Sequence, residues 1–184
     1  MIISPDQKLD AGCATVLFLL NKANESEFYL AQKKQDIHKN NGEAIKKSPK
    51  MNGYGGKWEE GDESIFHTAT RETFDECGVA VKTKDLIPVG QVEFFWPGNV
   101  SHIRDMEVFF FLAKEYVGVP VESKEMGLPK LFSVNNAPYK QMMPADEFIV
   151  RNIMNSKIVT GRIHFTEVNW SMAVKLMLLK IKER

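Results

Sequence analysis

The sequence predicts an α/β (α+β) fold, a mixed β-sheet flanked by helices, and three observations carry that prediction. Residues 14–20 and 107–113 are short, nearly continuous apolar runs, the pattern of strands buried on both faces. After a glycine-rich loop, Ile65, Phe66, Ala69 and Thr73 share one helical arc that can face a core, beside an arc of carboxylates. A second helix opens at Pro144, with Asp146 and Glu147 as acids in its first turn.

The elements follow in order. Residues 14–20 form a first strand, 21–25 a polar turn, and 27–31 the returning strand. Residues 35–49 hold Lys39, Lys46 and Lys47 among Asn, Gly and Pro, which predicts a loop insertion. It is either a solvated excursion or a lysine-bearing flap near a substrate. Beyond the first helix, residues 79–81 lead into a strand over 89–95, and Pro97-Gly98-Asn99 marks a turn. Phe109, Phe110 and Phe111 make 107–113 the central strand, with rings packed on both of its faces. The helix from Pro144 has Phe148, Ile149, Ile153 and Met154 on its apolar side. Residues 159–166 suggest a last strand, and 170–180 fit a helix or a strand. No repeat, low-complexity tract or linker divides the chain, so residues 1–184 are expected to form one domain.

A chain of 184 residues with 43% hydrophobic content can build a core of useful size. Its formal net charge of zero argues against a nucleic-acid polymer as partner, because proteins that track phosphate backbones are usually basic. Cys13 and Cys77 have no metal-binding spacing and are expected to be reduced thiols of a cytoplasmic protein. The start lacks a basic region and no apolar run approaches a membrane span, so neither signal peptide nor membrane contact is expected. Monomer and homodimer are equally compatible with the sequence.

The chemistry concentrates in residues 55–79. Glu72, Asp75 and Glu76 fall within an arc of about 100° on the helix. Acids three and four residues apart repel and cost helix stability, which a bare surface helix gains nothing by accepting. A site for hard divalent cations needs such a cluster.

Gly55-Gly56-Lys57-Trp58-Glu59-Glu60-Gly61-Asp62-Glu63, then Arg71-Glu72-Thr73-Phe74-Asp75-Glu76-Cys77-Gly78-Val79, resembles the Nudix box, G-x5-E-x7-R-E-U-x-E-E-x-G-U. Measured from Gly56 to Glu63 the loop has one extra residue; Thr73 takes an aliphatic position and Asp75 a glutamate position. The resemblance implies the Nudix α/β/α sandwich. It extends over roughly residues 13–165 and is most similar to the MutT-like 8-oxo-dGTP diphosphatase group. Matching segments are residues 52–57, 90–92, 120–126 and 143–146. Where that group carries Trp-Pro-Asp-Asp, this chain has Met143-Pro144-Ala145-Asp146.

Transferred position by position, the resemblance implies that the carbonyl of Gly56 and the carboxylates of Glu72, Asp75, Glu76 and Glu125 hold Mg²⁺ or Mn²⁺. Arg71 would pair with Glu63 to brace the loop against the helix. Glu76, Glu125 and Glu63 are candidates to take a proton from water. Thr15, Lys33, Asn52, Phe94, Met143 and Asp146 would bind the nucleotide, Asn52 and Asp146 at the base. The implied activity is hydrolysis of a purine nucleoside triphosphate, oxidised at the base, to monophosphate and pyrophosphate. The alternatives are a Nudix enzyme for a nucleotide sugar or dinucleoside polyphosphate, and a nucleotide-binding module without catalysis.

Overall fold

A computed structural model describes residues 3, 9–34, 37–40, 43–46, 50–99, 103–168 and 171–184. The strands are β1 (Cys13–Asn21), β2 (Asn24–Gln32), β3 (Ile37–Asn40), β4 (Glu43–Lys46), β5 (Met51–Asn52), β6 (Leu86–Phe95), β7 (Met106–Ala113), β8 (Lys130–Ser133), β9 (Lys157–Val168) and β10 (Ser171–Glu183). Two helices accompany them, α1 (Ile65–Cys77) and α2 (Asp146–Met154). Eight strands form one sheet in the order β10-β9-β6-β7-β1-β2-β5, with β8 also on β2. The β1–β7 and β6–β9 pairs are parallel and the rest antiparallel, so the sheet is mixed as expected.

The alternation of strand side chains splits the core in two. Phe109 and Phe111 point to the face that packs α1, together with Leu17, Leu19, Ile65 and Ala69. Phe110 points the other way, to the face that packs α2, with Phe18, Val92, Ile149 and Ile153. Each of these buried rings stabilises the fold by about 1.5–3 kcal/mol, which is why three consecutive phenylalanines suit a strand with helices on both sides.

Helix α1 begins where Ser64 Oγ accepts from the His67 N–H at 3.2 Å. It ends at Gly78, whose φ of 73° is a left-handed cap and whose N–H reaches the Phe74 carbonyl. Its inner face is Ile65, Thr68, Ala69, Thr73, Glu76 and Cys77. Phe66 is only half-buried, leaning on Phe111. Helix α2 starts at Asp146 rather than at Pro144, and its Phe148 is exposed rather than part of the inner face.

Two expectations change. Residues 35–49 are more than a loop: β3 and β4 make an antiparallel hairpin that forms its own small sheet. Residues 35, 36, 41, 42 and 47–49 of that insertion lie outside the described residues. The helix-or-strand ambiguity at 170–180 resolves as strand β10 (Ser171–Glu183), paired with β9 except for a register shift between Val174 and Leu176. A continuous apolar-and-lysine mixture has no clean period, and the open edge of β9 decides its state.

Candidate active site

The chain between β5 and α1 lies directly on β1. Leu17 and Tyr54 exchange two backbone hydrogen bonds, Thr15 N–H donates to the Gly56 carbonyl at 2.8 Å, and Trp58 N–H to that of Cys13. Gly55 has φ +148°, and a Cβ there would stand 2.2 Å from the Thr15 carbonyl oxygen. Only glycine fits, for conformation and for space. At Gly56 a Cβ would meet the Glu72 carboxyl carbon at 2.5 Å, so that carboxylate rests against bare backbone.

Glu76 is buried at 2% exposure, and its Oε2 accepts the Gly55 N–H at 2.8 Å. Burial pushes its carboxyl up to about 7, with Glu72 and Glu125 adding to the rise while the Gly55 bond and Lys33 oppose it. Lys33 Nζ stands 3.7 Å from Glu76 Oε1. One turn earlier, Glu72 Oε1 accepts from Arg71 Nη1 at 2.9 Å, and burial raises its carboxyl also.

Arg71 is not held by Glu63, as the sequence led us to expect, but by Asp62. Nε and Nη2 of Arg71 donate to the two Asp62 oxygens at 2.9 and 2.8 Å. Thr68 Oγ1 and the Glu59 N–H also donate to Asp62, and the Arg71 guanidinium holds its carboxyl down at about 2. Glu63 is exposed, its N–H donating to His67 Nδ1. Counted from Gly56, Asp62 sits at the usual five-residue spacing of the box. The extra residue therefore lies between Asp62 and Arg71, ahead of α1, and the five-residue count was the signal that identifies it. Arg71 has Asp62 on one side and Glu72 on the other, so one guanidinium ties the loop to the acidic face of α1.

The remaining sequence-predicted residues are spread more widely. Asp75 is on the same helix but its side chain is 62% exposed, 4.0 Å from Arg71. Glu125 is exposed on a loop anchored by Lys34 N–H to its carbonyl, and its charge acts on Glu76. Asn52 Oδ1 accepts from the Gly53 N–H at 2.9 Å. Phe94, Met143 and Asp146 are on the α2 side: Phe94 stacks on Trp96 and Phe165, and Met143 packs against the same core. Asp146 Oδ2 accepts the Met143 N–H at 2.9 Å, and burial lifts its carboxyl to about 7, with Lys50 opposing. Thr15 does not join them. It alternates with Cys13 and Leu17 on the α1 side, where its buried hydroxyl lacks a hydrogen-bond partner beside Gly55. The aromatic stack through Trp96 had no signal in the sequence, because Phe165 reaches it only through the β6–β9 pairing.

Among the described residues, no three Asp, Glu, His or Cys side chains are close enough together to enclose a metal ion. The donors nonetheless fit a hard divalent cation. Glu72 and Glu76 supply oxygens on one side of α1, and Glu76 is a buried carboxyl whose ionisation is opposed until a cation faces it. No helix among the described residues is long and apolar enough to cross a membrane.

Comparison with known proteins agrees with this geometry. The family model for the NUDIX domain matches residues 12–152. The chain is 38% identical over 116 residues to the oxidized purine nucleoside triphosphate hydrolase of Danio rerio, covering 63% of this chain and 70% of that protein. Its fold is similar to the MutT protein of Bacillus halodurans, at TM-score 0.66, 20% identity, and coverage of 92% of this chain and 96% of the other. An ADP-ribose pyrophosphatase from Streptococcus suis is also similar, at TM-score 0.52 and 15% identity over 83% and 99% of the chains. Because such different hydrolases share the fold, its shape alone does not choose a substrate. The match over most of the chain, the glycine loop laid on β1 and the Asp62–Arg71–Glu72 brace place this protein in the Nudix family, as a MutT-like pyrophosphohydrolase.

Proposed function

We propose that this enzyme hydrolyses purine nucleoside triphosphates oxidised at the base, releasing the monophosphate and pyrophosphate, and so cleans the cytoplasmic nucleotide pool. The observation that carries the hydrolytic part is Glu76, a buried carboxyl held by the Gly55 N–H beside Glu72. The substrate class rests on the Danio rerio relative and on Asp146, a half-buried acid on the α2 side of the sheet.

In this reading Glu72 and Glu76 hold Mg²⁺ or Mn²⁺, with Asp75, Glu125 and the Gly56 carbonyl completing the set. A divalent cation bound there supplies neutralisation of phosphate charge and a water of lowered pKa. Arg71 keeps Glu72 aimed, because Asp62 fixes the opposite edge of the guanidinium. The Gly55 N–H occupies Oε2 of Glu76 and leaves Oε1 toward Lys33. Without a cation, burial holds this carboxyl near 7; a cation facing Oε1 would favour the ionised form, the one able to accept a proton from water. Lys33 places a cation beside this carboxylate, where it would meet the phosphates. Glu63, exposed and away from Arg71, is the weakest of the three candidate bases.

On the base side, Asp146 offers hydrogen bonds, and Phe94 and Met143 offer apolar surface. Asn52 stands opposite Ala31 of the α1-side core and would reach the base from there. Met143 and Ala145 replace a tryptophan and an aspartate of the resembled group, which favours a wider range of bases. A hydrolysis panel followed by ³¹P NMR tests the reading: ordinary dNTPs, 8-oxo-dGTP, 2-hydroxy-dATP, ADP-ribose and a dinucleoside polyphosphate, with Mg²⁺. Pyrophosphate released fastest from the oxidised triphosphates supports it. Faster cleavage of ADP-ribose or the dinucleoside assigns the site to another Nudix substrate.

A further inference from the structure

We propose that Lys34 is a positioning residue for the cation site: its side chain grips the loop that carries Glu125 and so aims this carboxylate at Glu76. The inference rests on the reading of Glu125 as a cation ligand and adds the group that places it. Glu72 and Glu76 share one helix, and backbone groups of the glycine loop fix them. Glu125 comes from a separate, exposed loop, yet its charge reaches Glu76. The relative placement of the two elements therefore decides whether one cation can meet both carboxylates.

The loop is suspended between the end of α1 and the end of β2. Val121 N–H donates to the Cys77 carbonyl at 3.0 Å, and Gly127 N–H to the Gln32 carbonyl at 2.8 Å. Between them Met126 is buried in the α1-side core and bridges Lys33. Ser123 Oγ accepts from the N–H groups of Glu125 and Met126, which shapes the bend but does not attach it to the sheet. Lys34 makes that attachment. Its N–H donates to the Glu125 carbonyl at 2.6 Å, and its Nζ donates to the Ser123 carbonyl at 2.6 Å. The same Nζ stands 2.7 Å from Glu122, so the neighbouring acid is engaged and Glu125 is left to face Glu76. The preceding residue, Lys33, lies 3.7 Å from Glu76 itself. Two consecutive lysines thus meet the two carriers of the carboxylate set. An ion pair as exposed as Lys34–Glu122 stabilises a fold little, so its consequence is geometric.

Mn²⁺ binding to the full chain without nucleotide, followed by electron paramagnetic resonance of the free ion, tests this. Lys34→Met removes a positive charge near the site, which by charge alone would tighten Mn²⁺ binding. Lost positioning acts in the opposite sense, and the dissociation constant should rise about tenfold. Lys34→Arg keeps a cationic donor and should recover most of that loss. Glu125→Gln should weaken binding at least as much as Lys34→Met. Adding Lys34→Met to Glu125→Gln should then change nothing further, because both act through one carboxylate. Lys34 and Glu125 are exposed, so unchanged thermal melts confirm that the variants fold. Unchanged or tighter binding by Lys34→Met, or additive losses in the double variant, would overturn the role of Lys34 and leave Glu125 as a ligand. A Glu125→Gln variant that binds like the wild type, or a wild type that binds no Mn²⁺, would overturn the cation reading and the proposal with it.

Discussion

The two faces of the sheet hold the two halves of the proposed chemistry and are assembled by different means. On the α1 face a single stretch, residues 51–79, supplies the loop, the brace and the acids, and backbone groups fix them: Gly55 N–H on Glu76, Gly56 against Glu72, Lys57 carbonyl on Arg71. On the α2 face Phe94, Met143 and Asp146 come from distant segments and meet through apolar packing, with one backbone bond to Asp146. A site built on backbone contacts tolerates little change. One built on side-chain packing can drift, as Met143 and Ala145 show.

The sharpest way to break the first half is at its glycines. Gly55→Ala would place a methyl 2.2 Å from a carbonyl oxygen of β1 at φ +148°, and neither the strand nor the loop can yield. Loss of more than about 3 kcal/mol is expected, seen as a collapse of the denaturation midpoint. Gly56→Ala meets the free end of a side chain instead. It should melt near the wild type yet lose activity, because Glu72 must leave Arg71. Equal stability loss in both variants would remove the distinction between fold and site drawn here.

Glu76→Gln comes next. Glutamine keeps an oxygen for the Gly55 N–H, so folding should survive while kcat falls by about 10²–10³. Near-normal kcat with ordinary metal dependence would rule out the role given to Glu76. Its titration supplies a second readout. The folded carboxyl, near 7, holds its proton more tightly than the unfolded chain does, so its contribution is complete below about 4.5 and is lost as pH rises to about 7. Cation-free wild type should lose up to about 3 kcal/mol over that window, with Asp146 adding in the same sense, and Glu76→Gln should flatten the slope. Asp62 runs the other way: held near 2, it stabilises above about 4 and fades as the solution is acidified further.

Much of the α1 face was legible because its rules are local: spacing on a helix, glycine where backbone crowds, acids gathered against their own repulsion. The one error there, Glu63 for Asp62, came from matching residue type before counting from Gly56. Asp62→Ala should cost about 2–4 kcal/mol, removing two of the guanidinium's bonds and leaving Arg71 to Glu72 and the Lys57 carbonyl, whereas Glu63→Ala should change stability by less than about 0.5 kcal/mol. The α2 face was legible only by resemblance. Neither Thr15 facing away from Phe94 nor Trp96 stacking on Phe165 follows from any local pattern, because both depend on which strands become neighbours. The C-terminal strand illustrates the same limit: its state was set by the edge it joined.

The smallest effect belongs to Asp146→Asn, and it bears most directly on the substrate. Asparagine can still accept the Met143 N–H through its oxygen, so the start of α2 should hold and the protein should melt no lower than the wild type at neutral pH. What disappears is a carboxyl that burial keeps near 7, able to donate when protonated and to accept when not. If Asp146 reads the base, KM for an oxidised purine triphosphate should rise about tenfold at nearly constant kcat, and its dependence on pH between 6 and 8 should vanish. If Asp146 only holds the Met143 N–H ahead of α2, KM will not move, because the accepting oxygen is present in both side chains. The acids of α1 act on phosphates whatever the base, so the variant should leave hydrolysis of a base-free triphosphate unchanged. A rise in KM for that compound as well would place Asp146 in the general architecture of the site and detach it from base recognition.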